Sequence, residues 1–310
     1  MFGKSGSVAN TFSWGEVKFM EQFVQLFVAG LSVGAIYALV SLGFVLVFKS
    51  TRVLNLAMGE FVMVGAYLGY WFITKLGLNF VVTMILVCGL MGSMGLLVHY
   101  GIMRNLVGRP FFAIVLVTIG IATVIRAAIL IVAGPIERPR LDALPQTIFY
   151  VFGASIEAYN IVIFVAAIAL VAGFYIFFRL SKVGLHMRAV AENLQASSAM
   201  GISPDRIYAL AWFISLAMAG AAGVFFGHYS ASIDLNIAAI GIRAAPAAIV
   251  GGLDSIEGAI VGGLVVGILE QVGSGYLGAE YRDVIPFLIL TLMLYIRPSG
   301  LFGSPELVRI

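Results

Sequence analysis

Charge is scarce in this sequence. Asp, Glu, Lys and Arg make up 11% of its 310 residues, against 61% hydrophobic residues. A water-soluble domain carries roughly 25% charge, so a soluble globule is excluded: there are too few polar groups to cover its surface. Mean hydropathy is +1.06, and several apolar runs exceed the roughly 18 residues that cross a bilayer. The chain is therefore expected to be a multi-pass membrane protein rather than a soluble domain with a single anchor. Cysteine is nearly absent. Cys88 stands by itself in an apolar run, so no intrachain disulfide can form. Histidine is scarce as well. His99, His186 and His228 are far apart and lack ligand spacing, so no metal site is expected.

Other absences narrow the function. Gly-Lys-Ser/Thr occurs once, at Gly3-Lys4-Ser5, without the upstream glycine of a phosphate-binding loop, so nucleotide binding by that motif is excluded. The first twenty-odd residues hold no apolar core of signal-peptide length, and a cleaved signal is not expected. Asp142, Glu157, Asp234 and Glu257 stand singly. They form no constellation of the kind a membrane enzyme needs, so no catalytic residue is assigned. The net charge of +3 does not point to nucleic acid, because the basic residues lie in short loops and report orientation instead.

What is present is a series of apolar segments at 23–48, 54–74, 79–100, 111–133, 159–178, 207–229, 237–253, 256–273 and 284–297. They predict an all-α bundle of about eight or nine crossings in contact with lipid. Segments 54–74 and 237–253 are interrupted by polar residues or glycine, as broken or re-entrant helices beside a cavity would be. One set of alternate loops holds Lys49, Arg52, Arg104, Arg109, Arg179, Lys182, Arg188, Arg206, Arg297 and Arg309. The other holds Lys75, Arg138, Arg140 and Arg282. The excess places the first set in the cytoplasm, with the N-terminus outside and the C-terminus inside. Glycines recur as small-xxx-small pairs, Gly30/Gly34, Gly65/Gly69, Gly258/Gly262 and Gly263/Gly267. Such pairs suit close helix packing, within the chain or between subunits.

Two stretches carry more than packing. "VLNLAMGEF", residues 53–61, sets Asn55, Gly59 and Glu60 inside an otherwise apolar span. A helix starting near 54 would put Glu60 about 9 Å deeper than its start. "RLSKVGLHMRAVAENLQASSAMGISPDRIYAL", residues 179–210, is the longest charged segment. Leu185, Met187, Val190, Ala191, Leu194 and Ala199 recur at near-helical spacing, and Arg188 and Glu192 are placed to pair at i,i+4. Gly201 would end this helix, and Ser203-Pro204 would start the next. The result is a short amphipathic helix between two spans. Its apolar face needs a cover, which could be the membrane surface, the rest of this chain or another protein.

With these stretches the chain resembles the permease subunits of ABC importers for branched-chain amino acids, specifically the shorter of the two paired permeases. The likeness runs from about residue 23 to 303. "NLAMGE" at 55–60 looks like the family's Asn-Phe-Ala-His-Gly-Glu element, and "TIG" at 118–120 begins a matching helix. "MRAVAENLQASSAMGI" at 187–202 looks like its ATPase-docking loop. "VGGLDSIEGAIVGGLVVGILE" at 250–270 and "YRDVIPFLILTLMLYIRPSGLFG" at 281–303 resemble its C-terminal signature. The resemblance implies a permease domain over 23–303 containing a cytoplasmic coupling loop at 179–206. An extracytoplasmic segment would precede it (1–22) and a cytoplasmic tail follow it (304–310). It implies a second homologous permease, two cytoplasmic ATPases that bind the ATP, an extracytoplasmic binding protein and a bacterial inner-membrane location. No cofactor of its own is expected. The pathway residues would be Asn55, Gly59, Glu60, Thr118 and Arg126, with Gly251 and Gly252 permitting a second break. The coupling surface would comprise Met187, Arg188, Glu192, Leu194, Ala199 and Gly201.

Departures from the family pattern leave the solute open among branched-chain amino acids, urea, amides and carboxylates. Met58 replaces the histidine of the first motif. Arg126 stands where the family commonly has an uncharged polar residue. A charge there costs at least about 2.5–3.5 kcal/mol. It would face an aqueous cavity and favour an anionic group, or pair with Glu60 or Glu270. Arg243 keeps the charge of a common family lysine. An ion-coupled secondary transporter is the alternative, since Glu60, Glu270 and broken helices would also suit ion coupling.

Overall fold

The computed structural model describes residues 8–303 apart from 107 and 152. The expected tail at 304–310, with Arg309, lies outside the described residues, as do residues 1–7 of the N-terminal segment. The first helix, α1, runs Val8–Thr51 and so begins well before the expected start at 23. It ends where Arg52 takes a positive φ of 56° and donates its amide to the Phe48 carbonyl, a left-handed helix stop.

The next span does not start as a helix at 54. Residues 52–55 are not helical, and α2 covers Met58–Tyr70, followed by a π turn at Trp71–Lys75. Asn55 explains the delay. Its Oδ1 accepts from the Ala57 amide at 3.1 Å, and its carbonyl accepts from the Met58 amide at 3.2 Å. This local turn competes with helix. Asn55 and Glu60 are therefore not separated by continuous helical rise.

Asn79 caps α3, Phe80–Gly101, by accepting from the Val82 amide. Pro110 precedes α4, Phe111–Ala133. Between α4 and α5 (Ala158–Leu180) lie β1, Arg138–Pro139, and the antiparallel hairpin of β2, Ile148–Val151, with β3, Ala154–Glu157. Helices α6, Lys182–Glu192, and α7, Leu194–Ala199, then form the opposite end of the bundle. The chain returns through α8, Pro204–Tyr229, and β4, Ser232–Ile233, which pairs with β1. It finishes with α9, Ala239–Gly251, α10, Ile256–Leu277, and α11, Val284–Ile296.

Six helices among the described residues are long and apolar enough to cross a membrane, and α9 and α11 are shorter apolar helices. This is a polytopic helix bundle. The two segments expected to be interrupted are those the fold breaks. Segment 54–74 becomes the late-starting α2, and segment 237–253 becomes a 13-residue helix behind a 3-10 turn. The core sits among α1, α2, α8 and α10, where Tyr37, Phe61, Trp212 and Phe225 are fully buried. α4 leans on the start of α2 and exposes most of its surface.

The glycine pairs serve packing inside this chain. A Cβ on Gly34 would lie 2.9 Å from the Leu264 Cα, and one on Gly267 would lie 2.3 Å from the Gly34 Cα. Contacts that close leave no room for a side chain, so α1 and α10 meet backbone to backbone.

The short helix α9 is held at its far end by the C-terminal segment. The amides of Leu301 and Phe302 donate to the carbonyls of Val250 and Gly251 at 2.8 and 3.0 Å. These are carbonyls a helix end leaves unpaired. Gly252 follows with φ +110°, and a Cβ there would lie 2.6 Å from the Gly303 amide. Lys49 Nζ donates to the Asp254 carbonyl at 2.9 Å, which ties the end of α1 to the same corner.

Candidate translocation cavity and coupling surface

The late start of α2 creates a close crossing. Gly59 in its first turn meets α9, where a Cβ on Gly59 would lie 2.0 Å from the Ala238 carbonyl oxygen and one on Gly241 would lie 2.4 Å from the Gly59 amide. Gly241 is ten residues from the end of α9 at Gly251, so the crossing lies about 15 Å in from that end. Beside it opens a cavity of about 360 Å³. Leu56, Gly59 and Glu60 line one wall, Ile119, Ala122, Thr123 and Arg126 of α4 a second, and Ala238 with Ile242 a third.

Its charged groups are paired. Arg126 Nη2 donates to Glu60 Oε1 at 3.1 Å. Glu60 is 13% exposed and Arg126 51% exposed, so the guanidinium sits at the mouth and the carboxylate deeper. Of the two partners expected for Arg126, Glu60 is the one it meets. Glu270 is occupied elsewhere. The Thr123 hydroxyl donates to the Ile119 carbonyl at 3.0 Å, which leaves the rest of the wall largely apolar.

The other anticipated pathway residues fall into two groups. Asn55 and Thr118 are buried behind the cavity rather than on its wall. The Thr118 hydroxyl donates to the Val115 carbonyl at 2.8 Å and accepts from the Leu56 amide at 3.4 Å, so it fastens α4 to the non-helical stretch. Asn55 Nδ2 is buried with no hydrogen-bond partner. Gly251 and Gly252 do not meet the others. They lie at the far end of α9, in the C-terminal clamp.

A second polar knot spans the bundle. Glu270 of α10 is fully buried. It accepts from the Tyr37 hydroxyl of α1 at 2.6 Å and from Arg282 Nε at 3.2 Å, and Arg243 Nη1 of α9 lies 3.9 Å away. Arg243 Nε also pairs with Asp283 at 3.3 Å, and the Tyr229 hydroxyl donates to Gln271 Oε1 at 3.1 Å. Two arginines therefore balance two acids. The knot was not foreseen, because its members come from four helices and one loop. Its sequence signals are a carboxylate, Glu270, and a guanidinium, Arg243, each inside an apolar run.

The segment expected to couple is two helices, not one. Asn193 ends α6 and caps α7 by accepting from the Ala196 amide at 2.9 Å. Among the described residues, no ion pair joins Arg188 to Glu192. Arg188 instead donates to the Phe178 and Arg179 carbonyls at the end of α5. A cation there satisfies orphan carbonyls and the negative helix end. Gly201 has the positive φ of a helix stop, +82°, and Pro204 opens α8, although Ser203 makes no side-chain cap. Met187 and Val190 are buried against the bundle. The apolar residues left outside are Leu185, Leu194 and Met200, the last 83% exposed. Glu192 and Ala199 are exposed beside them.

The pattern of the family described as "Branched-chain amino acid transport system / permease component" matches residues 26–294. The chain is 32% identical over 301 residues to the high-affinity branched-chain amino acid transport system permease protein LivH of Escherichia coli K12, covering 93% of this chain and 98% of that one. It is 32% identical over 303 residues to BraD of Pseudomonas aeruginosa, with the same coverage. To LivM of E. coli, also a branched-chain amino acid permease protein, it is 28% identical over 293 residues, covering 86% of this chain and 67% of that one. No solved structure matches.

Proposed function

This chain belongs to the branched-chain amino acid transport permease family, and from that premise we propose that the cavity between α2, α4 and α9 is where its solute crosses the membrane. The chain is a permease component of an ABC transport system and is not itself catalytic. A branched-chain amino acid is the solute we assign, by likeness to the named relatives. The observation that carries the cavity reading is the Arg126–Glu60 pair. A guanidinium and a carboxylate at mid-depth are expensive in hydrocarbon, about 2.5–3.5 kcal/mol for one charge on insertion scales. They face a cavity walled by two interrupted helices, the geometry in which membrane proteins bind polar solutes.

The mouth of that cavity opens on the side of the bundle. Arg126 is half exposed there, among exposed Leu56, Ile119 and Ile242. Lipid cannot solvate that arginine cheaply, so a second, homologous permease covers the face and completes the path. The basic residues Lys49, Arg52, Arg104, Arg109, Arg179, Lys182, Arg188, Arg206 and Arg297 gather at the α6–α7 end, which we assign to the cytoplasm of a bacterial inner membrane. Leu185, Leu194 and Met200 then present an apolar knob to a cytoplasmic ATPase. Two such subunits bind and hydrolyse ATP, and an extracytoplasmic binding protein delivers the solute. Their motion shifts the bundle between outward- and inward-open states.

The test is uptake by proteoliposomes containing this chain, its partner permease, the ATPases and the binding protein. Leucine accumulates when ATP is supplied and no ion gradient is present. Uptake that needs a proton or sodium gradient and ignores ATP would replace this reading with an ion-coupled carrier.

A further inference from the structure

The cavity holds one cation and one anion, paired with each other at 3.1 Å, on walls that are otherwise apolar or internally hydrogen-bonded. That pairing restricts what can bind. A solute with a carboxylate and no cation can draw Arg126 away only by leaving Glu60 uncompensated at membrane depth. A solute with an ammonium group and no anion strands Arg126 in the same way. A neutral amide or urea can replace neither charge. Each of these exchanges leaves a poorly solvated charge unpaired, which costs more than the new contact returns.

A zwitterion is different. Its carboxylate and ammonium sit on one carbon, so it can take Arg126 and Glu60 at the same moment. Each charge of the site then exchanges one partner for another, and none is stranded. The remaining wall of Leu56, Ile119, Ala122, Ala238 and Ile242 suits an aliphatic side chain. We infer that the Arg126–Glu60 pair is a specificity element that admits apolar α-amino acids as zwitterions and rejects carboxylates, amines and amides of the same shape. This rests on the cavity being the solute path.

The experiment is equilibrium binding of radiolabelled leucine to the purified complex of permeases and ATPases, without the binding protein. Competitors are unlabelled leucine, 4-methylpentanoate, which lacks the ammonium, and 3-methylbutylamine, which lacks the carboxylate. Leucine is expected to compete at least about ten-fold better than either analogue, as sites with committed polar groups discriminate. Glu60→Gln should improve 4-methylpentanoate relative to leucine, and Arg126→Gln should do so for 3-methylbutylamine. The double variant carries no unpaired charge, so it assembles even where a single variant does not, and it should lose both preferences. Equal displacement of bound leucine by all three compounds in the wild type overturns the inference while leaving the path intact. A double variant that keeps the wild-type preference also overturns it. Absence of saturable leucine binding to the wild type overturns the path reading itself.

Discussion

Glu270→Ala is expected to destabilise the permease by about 3–5 kcal/mol, the range for removing one partner of a buried charge network. The carboxylate is fully buried and touches Tyr37 and Arg282, with Arg243 beside it. Alanine would leave two guanidinium groups facing each other across the gap, with Asp283 still paired to Arg243. α9 leans on the pair, because Arg243 links its first half to Glu270 of α10. Loss of that anchor should loosen the cavity wall formed by Ala238 and Ile242. Thermal unfolding in detergent measures the effect, and Glu270→Gln should lose less, since its amide oxygen can still accept from Arg282 while its NH2 donates to the Tyr37 hydroxyl oxygen. An alanine variant as stable as the wild type would show that the knot is not what positions α9.

Leu194→Asp combined with Met200→Asp is expected to lower solute-stimulated ATP hydrolysis of the assembled complex by more than about ten-fold, the scale of losing a central apolar anchor in an interface. Both side chains are exposed on the isolated chain, so the fold should survive. Met187→Asp should act differently. Met187 is 1% exposed beneath α6, so an acid there should disrupt folding rather than coupling. Co-purification of the ATPases with each variant separates the two outcomes. Unchanged stimulated hydrolysis in the double variant would remove α7 from the coupling surface.

Much of the architecture could be read directly from apolar runs. Segment 111–133 coincides with α4, and most other spans differ from their helices by a few residues. α1 is the exception, since its helix continues back through residues whose composition gave no apolar signal. The two broken segments were visible because Asn55, Glu60 and paired glycines interrupt them. Pairing was less accessible. Arg126 had two candidate acids, and only the close crossing of Gly59 and Gly241 decides for Glu60. The expected Arg188–Glu192 pair fails because unpaired carbonyls at the end of α5 are better partners for a guanidinium than a solvated carboxylate one turn away. Gly251 and Gly252 end α9. What closes that end is a C-terminal segment about fifty residues further on, a contact no local pattern encodes.

The most direct test places one reactive thiol on the cavity wall. With Cys88→Ala as background, Ala122→Cys puts a sulfhydryl between Arg126 and Thr118 on α4, facing the cavity. In reconstituted complex, a membrane-impermeant thiol reagent should abolish ATP-driven leucine uptake, and leucine should slow its reaction. Complete modification at position 122 with uptake unchanged would contradict the assignment of this cavity as the path.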